Sequence, residues 1–365
     1  MIGSTSSATT VRINDTKKTS SAIVRTSGPL ASGASMHPKV PRAQPRKRLT
    51  WPADAPRVGI HLGVDRGLLR AARRARQIGA TALQIFSDNP TAWRRRPEPP
   101  RDAPAFIEYC RREGIAPIAI HASYLINLAG SAEPFASQSL DGLVHELQRA
   151  PEYGASLVNT HIGSHRGAGR DGGVRRIASN VAVAAAAAPR GVRLVLENSS
   201  GGGDMLGSTI EDLAAILAGV AALDAGATRS VAFCLDTAHL WGAGYDISSE
   251  EGAARVIDRF AEVIGLDRLA MIHLNDSRSL LGSRTDRHEH VGAGRIGPIG
   301  LRAFLRDPRL ADITFVMETP GVDEGYDAVN VRRAWSLYAG AETLPVLPPK
   351  AFRLTRRSTR AAPAR

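Results

Sequence analysis

One unit repeats along this chain and constrains its fold more than any other feature. A short β-branched or apolar run ends in a polar residue, and a loop and a stretch with helical apolar spacing follow. Runs of this length are typical of buried parallel strands. Strand and helix in alternation predict a parallel sheet with right-handed crossovers. Eight units predict a single (β/α)8 TIM barrel, with strands at residues 58–61, 82–86, 117–121, 157–161, 192–197, 231–236, 269–273 and 313–318.

The last residues of six strands carry the second constraint. A single buried histidine or carboxylate is usually a hydrogen-bonded core residue, but parallel strands of a barrel all end on one rim, where barrel enzymes have their active sites. Three buried carboxylates need cations, and no lysine or arginine stands at these positions. We therefore expect a metal site formed by His121, His161, Glu197, Asp236, His273 and Glu318.

Two segments that we interpret as loops add three more candidate ligands. His239 follows the sixth strand closely, and Asp286 and His288 lie two residues apart after the seventh. An Asp-x-His pair in an extended loop can direct both side chains to one ion. Nine histidines and carboxylates exceed the four to six ligands of one ion, so two or three zinc or manganese ions are expected. Both cysteines lie outside this set.

These segments resemble the endonuclease IV family of apurinic/apyrimidinic (AP) endonucleases, over roughly residues 57–340. The resemblance is carried by HASYLINLAG (121–130), NTHIGSH (159–165), LENSSGGG (196–203), CLDTAHLWGAGYD (234–246), HLNDSRSLLGSRTDRHEHVGAGRIG (273–297) and METP (317–320). It implies three zinc ions, with manganese as a possible substitute. The implied ligands are His121, His161 and Glu197 for the first ion, Glu197, Asp236, His273 and Glu318 for the second, and His239, Asp286 and His288 for the third.

The resemblance also implies the reaction. A hydroxide activated by the metals attacks the phosphorus 5′ to an abasic nucleotide in duplex DNA and leaves a 3′-hydroxyl and a 5′-deoxyribose phosphate. Cleaning of blocked 3′ ends is a further expected activity. The catalytic carboxylates would be Glu197, Asp236 and Glu318. We expect a monomer that uses no nucleotide cofactor.

The expected DNA contacts lie in two loops. Tyr124 and Leu125 match the loop with which the family exposes the abasic sugar. After the second strand, Thr91 stands where many relatives carry an intercalating arginine, and threonine is too short to fill the base stack. The residues that follow, Arg94, Arg95 and Arg96, could instead hold phosphates.

Two other functions remain open from the sequence. Metal-dependent sugar isomerases and epimerases share this barrel and much of its rim, but they usually need one or two metals, so the third ligand set argues against them. A non-catalytic module that binds damaged DNA is disfavoured by the complete ligand set. The glycine pattern at 292, 294 and 297 fits a dinucleotide fingerprint but follows no strand, so it carries little weight.

Charge divides the chain into three parts. The formal net charge is +12. Residues 1–50 carry nine basic residues and one acid, and residues 346–365 carry six basic residues and no acid, which leaves −2 for the 51–345 barrel. We expect both ends to be disordered extensions that attract polyanions. No apolar stretch could span a membrane and no secretory signal is evident, so a cytoplasmic protein is expected. The composition, rich in alanine and arginine, favours a bacterial source.

Overall fold

The computed structural model describes residues 51–52 and 55–354. The predicted N-terminal extension, residues 1–50, and the last part of the predicted C-terminal tail lie outside the described residues. No helix in the described part is long and apolar enough to cross a membrane.

Eight parallel strands close a barrel within these residues, and this confirms the predicted (β/α)8 fold. Each strand pairs with its neighbours in chain order, and the first pairs with the eighth to close the ring. The strands are β1 (Arg57–His61), β2 (Ala82–Ile85), β3 (Ile118–His121), β4 (Leu157–His161), β5 (Arg193–Glu197), β6 (Val231–Asp236), β7 (Leu269–His273) and β8 (Thr314–Met317).

Helices connect the strands and cover the barrel. The first shows why they form: its buried residues, Leu68, Ala71, Ala72, Ala75 and Ile78, recur at the spacing that places side chains on one helix face. The α-helices in the described residues are α1 (Leu68–Ile78), α2 (Ala103–Glu113), α3 (Phe135–Arg149), α4 (Arg170–Ala186), α5 (Ile210–Leu223), α6 (Thr237–Ala243), α7 (Glu250–Val263), α8 (Gly297–Arg306) and α9 (Tyr326–Tyr338).

One of these helices corrects a prediction. We expected His239 in a loop, but it lies on α6, which starts directly after β6. The Asp236 carboxylate accepts a hydrogen bond from the backbone N–H of His239 at 2.9 Å and so caps this helix. The turn from strand to helix thereby brings two candidate ligands to the same point.

The boundary of the predicted C-terminal tail also differs. We expected disorder from residue 346, but residues 346–354 are described and two of them are buried. Leu347 and Ala351 are buried against Tyr326 on α9, and a short 3-10 helix forms at Ala351–Arg353. The basic and polar composition of the segment gave no sign that Leu347 and Ala351 would pack against α9.

Candidate metal centre

Strand alternation brings the candidate ligands into the barrel mouth. Side chains two residues apart on a strand point to the same side, so the ligands sit above an inward apolar layer that includes Val195, Cys234 and Met271. Strand register aligns them further, because His161 lies opposite Glu197 and Asp236 opposite His273.

The first group of donors lies across β3, β4 and β5. His121 Nε2 is 3.6 Å and His161 Nε2 is 3.7 Å from Glu197 Oε2. His121 and Glu197 are buried, whereas the His161 side chain is 30 % exposed and faces the solvent side of the mouth. These are the three residues expected to hold the first ion.

The second group surrounds one imidazole nitrogen. His273 Nδ1 lies 3.4 Å from Glu197 Oε1, 3.8 Å from Asp236 Oδ2 and 3.7 Å from Glu318 Oε2. Three carboxylates thus lie within 3.8 Å of one nitrogen, and Glu197 belongs to both the first and the second group.

The third group joins α6 to the segment after β7. His239 Nε2 is 3.2 Å from Asp286 Oδ2, and His288 Nε2 is 3.0 Å from Asp286 Oδ1. Asp236 Oδ2 lies 3.4 Å from His288 Nε2 and so connects this group with the second. Asp286 and His288 therefore converge on one point, as their spacing in the sequence suggested.

The distances within the first and second groups, 3.4 to 3.8 Å, are longer than hydrogen bonds and fit metal ligands better. Two donors bound about 2.1 Å from one tetrahedral zinc ion lie roughly 3.4 Å apart, close to most of the separations observed here. Four buried atoms of the candidate ligands in the described residues make no well-aligned hydrogen bond: His121 Nε2, Glu197 Oε1, His273 Nδ1 and His288 Nε2. Buried polar atoms are normally paired, so these atoms fit groups that bind divalent ions.

Backbone carbonyls set the tautomers of two of the histidines. His121 Nδ1 lies 2.8 Å from the Ala122 carbonyl oxygen, and His288 Nδ1 lies 3.1 Å from that of Glu318. A carbonyl can only accept, so both nitrogens carry a proton and donate it. The opposite nitrogen, Nε2, then presents its lone pair to the mouth, as is usual for metal-ligating histidines.

Sequence reasoning missed the amide side chains that hold the carboxylates. Asn159 Nδ2 donates to Glu197 at 2.5 Å, Gln84 Nε2 to Glu318 at 2.8 Å and Asn275 Nδ2 to Asp236 at 2.7 Å. Each of these amides is fully buried. A signal was present, because Asn159 stands two residues before His161 and Asn275 two residues after His273, on the same inward alternation.

Mutual electrostatics dominate the ionisation of the centre. Burial opposes ionisation of Glu197, but the imidazoles of His273 and His161 outweigh it and hold the pKa of this carboxyl well below its usual range. Burial likewise opposes the charge on His239, but Asp236 and Asp286 raise the pKa of this imidazole well above its usual value. Protons on imidazoles offset the carboxylates when no cation does so, and metal binding would release them.

The residues expected to contact DNA have different environments. Tyr124 is 41 % exposed beside the mouth, and Leu125 beside it is partly buried. Tyr124 lines a cleft of about 450 Å³ with Leu125, Trp93, Phe135, His161 and Arg166.

The three consecutive arginines also separate. Arg94 is exposed, and Arg96 is half-exposed and paired with Asp88 at 3.1 Å. Arg95 turns inward, with an 11 % exposed side chain 3.7 Å from the buried carboxylate of Glu146. This position does not suit phosphate contact, because the internal carboxylate attracts the guanidinium. Thr91 is exposed and hydrogen-bonds Asn89 within its own loop.

The glycine-rich segment at 292–297 forms an internal anion site. The Asp276 carboxylate accepts hydrogen bonds from the backbone N–H groups of Gly294 and Ile296, both at 2.9 Å. A Cβ on Gly294 would lie 2.5 Å from Asp276 Oδ1, so glycine is needed for this approach. The N–H groups that a dinucleotide phosphate would require are thus occupied by a side chain.

The barrel and the histidine–carboxylate mouth define the general class of this protein. The model of the Xylose isomerase-like TIM barrel family matches residues 72–335. Sugar epimerases share this architecture: a D-tagatose 3-epimerase-like protein superposes with a TM-score of 0.57 at 16 % identity, over 78 % of this chain and 97 % of its own. That likeness shows the fold alone.

Relatives of higher identity show the family. The chain is 36 % identical over 284 residues to the probable endonuclease 4 of Natronomonas pharaonis, covering 78 % of this chain and 99 % of the relative. It is 38 % identical over 277 residues to that of Geobacter sulfurreducens, covering 75 % and 92 %. The crystal structure of endonuclease IV from Thermus thermophilus matches with a TM-score of 0.67 at 37 % identity, over 78 % of this chain and all of the other. The chain belongs to the endonuclease IV family.

Proposed function

We propose that this protein is a zinc-dependent AP endonuclease that hydrolyses the phosphodiester bond 5′ to abasic sites in duplex DNA. The observation that carries the proposal is the convergence of nine histidine and carboxylate side chains into three connected groups at the barrel mouth. The two carboxylates that connect them, Glu197 and Asp236, belong to two groups each. The products would be a 3′-hydroxyl and a 5′-deoxyribose phosphate.

The donor set indicates which ions would bind. Nitrogen and carboxylate oxygen donors without thiolate suit zinc, and manganese is the natural substitute. We assign three ions to the three groups, with Glu318 in the second. Such ions lower the pKa of water so that hydroxide is available near neutral pH, and they offset charge that develops on phosphate oxygens.

Carboxylate and amide side chains would set the positions of the three ions. Glu197 and Asp236 each direct a carboxylate to two groups, so they fix the spacing between neighbouring sites. Asn159 and Asn275 hold these carboxylates through single amide hydrogen bonds. We regard Glu197, Asp236 and Glu318 as the catalytic carboxylates because they surround the innermost imidazole, His273.

The surface around the mouth supports a DNA substrate. Tyr124 and Leu125 would contact the duplex at the abasic nucleotide, and the cleft beside His161 is open to solvent. Arg94 and Arg96 would contact phosphates, which fix the position of a protein on DNA without reading its sequence.

The same metal centre would trim blocked 3′ ends, since this reaction also hydrolyses a phosphodiester. We propose a monomer acting in the bacterial cytoplasm.

An incision assay tests the proposal. The substrate is a duplex with one tetrahydrofuran abasic analogue, which resists lyase chemistry, incubated with EDTA and without added magnesium. Cleavage that leaves a 3′-hydroxyl supports hydrolysis by tightly held ions. The alternative, a sugar isomerase or epimerase, is supported instead if zinc-reconstituted protein leaves the duplex intact but interconverts ketoses. The control variant His145→Ala, which replaces a histidine of α3 outside the nine donors, should incise the duplex as the wild type does.

A further inference from the structure

The segment of residues 345–354, here called the strap segment, is anchored to α9 by its apolar residues. Leu347 is 9 % exposed and Ala351 is fully buried, and both pack against Tyr326. Val346, the neighbour of Leu347, is 95 % exposed. Only one face of the segment therefore docks. Arg333 on α9 fixes its start by donating to the Pro345 carbonyl oxygen at 2.7 Å.

The strap segment contacts the chain that follows β7. Arg278 Nη2 donates to the Leu354 carbonyl oxygen at 2.7 Å, and His290 Nε2 lies 3.3 Å from the Ala351 carbonyl oxygen. His290 is fully buried and its ring lies 4.9 Å from that of Tyr326. Two residues that flank the third donor group are thus held by strap carbonyls.

The residues that contact the strap segment are close to the third donor group in the structure. Residues 276–289, here called the hairpin, are closed by antiparallel pairing of Asp276 with Glu289 and of Ser277 with His288. Arg278 pairs with Glu289 at 2.9 Å. Glu289 is the neighbour of His288, whose Nε2 faces Asp286 and Asp236. A shift of Arg278 would therefore move the base of the hairpin that presents His288.

The hairpin is held from both sides. On the α6 side, Trp241 Nε1 donates to the Ser279 carbonyl oxygen at 2.9 Å, and the backbone N–H of Gly282 donates to the Trp241 carbonyl oxygen at 3.0 Å. α6 also carries His239, so this contact couples two ligand-bearing elements. On the strap side, the Leu354 carbonyl oxygen holds Arg278 of the hairpin, and the Ala351 carbonyl oxygen holds His290, which follows it.

We propose that the strap segment positions the hairpin for binding of the third ion, with Arg278 as the positioning residue that transmits its effect. Residues that support a metal ligand typically contribute 10- to 100-fold to metal affinity. The inference rests on the metal binding of the proposed function. It goes further, because it makes a segment without ligands responsible for the occupancy of one site.

Two substitutions at adjacent positions test the proposal in the full-length protein. Leu347→Asp introduces a charge into the docked face, and Val346→Asp introduces the same charge into solvent. The measurement is zinc per chain after dialysis, together with the rate of zinc release to a chromogenic chelator. We expect Leu347→Asp to lose one ion at least tenfold faster than the wild type while the others are retained. Val346→Asp should match the wild type.

Two further variants separate positioning from general damage to the fold. His288→Ala removes a ligand of the third group directly, so Leu347→Asp should reproduce its zinc content. Leu347→Met keeps an apolar side chain at this position and should release zinc at the wild-type rate. Arg278→Met breaks both the contact with the Leu354 carbonyl oxygen and the ion pair with Glu289, without a core substitution, and should also release one ion faster.

The outcomes distinguish this inference from the proposed function. Equal release from the wild type, Leu347→Asp and Arg278→Met overturns the role of the strap segment and leaves the proposed function intact. Parallel loss of all ions from Leu347→Asp also overturns it, because the effect is then not confined to the hairpin. A wild type that binds no divalent ion overturns both.

Discussion

Asn275 donates its side-chain amide to Asp236 at 2.7 Å and accepts the backbone N–H of Glu318 at 2.8 Å through its carbonyl oxygen. One buried amide thus connects two candidate ligands that are distant in the sequence. Asp236 also caps α6, so its position is fixed by backbone and side chain together. The geometry of the mouth therefore depends on residues that bind no metal themselves.

Removal of this amide should weaken metal binding. Asn275→Ala removes the amide hydrogen bond to Asp236 and leaves the N–H of Glu318 without its acceptor, so we expect a loss of metal affinity of about 10- to 100-fold. Competition with a zinc chelator measures it. Asn180→Ala removes an amide on α4 that donates to the Leu128 carbonyl oxygen and should leave affinity unchanged. Unchanged affinity in Asn275→Ala would contradict the assigned role.

Loss of one candidate ligand of the third donor group should remove one ion and slow incision. His288→Ala removes a donor that faces Asp236 and Asp286. We expect zinc per chain to fall by one and incision at saturating abasic duplex to fall at least about 100-fold, the size of effect when one preorganised stabilising group is removed. Elemental analysis and single-turnover kinetics measure the two effects. Full incision activity with one ion fewer would exclude a catalytic need for this group.

Glu146 should make the stability of the protein depend on pH. Burial raises the pKa of its carboxyl to about 7, although Ser87 and Arg95 oppose this. An acid with a raised pKa in the folded state binds its proton more tightly there. Its stabilising effect is therefore complete below the unfolded pKa and is lost as pH rises through the folded pKa.

Between pH 5 and pH 8, the wild type should therefore lose about 2–3 kcal/mol of unfolding free energy relative to Glu146→Gln. Urea denaturation at the two pH values measures this difference. Asp141→Asn changes an exposed carboxylate of the same helix and should follow the wild type. Parallel pH profiles for the wild type and Glu146→Gln would show that Glu146 does not titrate in this range.

The arginines after β2 should behave differently despite their adjacency. If Arg94 and Arg96 contact phosphates, replacing both with alanine should reduce the slope of log affinity against log salt by about 1.8. Binding of abasic duplex at several salt concentrations measures it. Arg95→Ala should leave that slope unchanged and instead lower the thermal midpoint at pH 8, where it leaves the buried, ionised Glu146 without its cation. A slope change in Arg95→Ala alone would reverse this assignment.

Much of the centre was predictable because local patterns specify it. Short apolar runs fix the strands, and parallel strands in a barrel end on one rim, so His121, Glu197 and Asp236 had to meet there. The Asp-x-His spacing likewise brought Asp286 and His288 to one point. These predictions need only the period of a strand and the topology of a closed sheet.

Other features depend on partners that are distant in sequence, and only the tertiary structure decided them. Gln84 lies within an apolar run. It contacts Glu318 because closure of the barrel places β2 and β8 on either side of β1. Arg95 looks like its two neighbours in the sequence, but the buried carboxylate of Glu146 on α3 draws it inward. Sequence by itself determined the barrel and the types of the candidate ligands, since both follow from local periodicity. Tertiary structure decided which charges are buried, capped and supported, because these depend on distances between segments far apart in the chain.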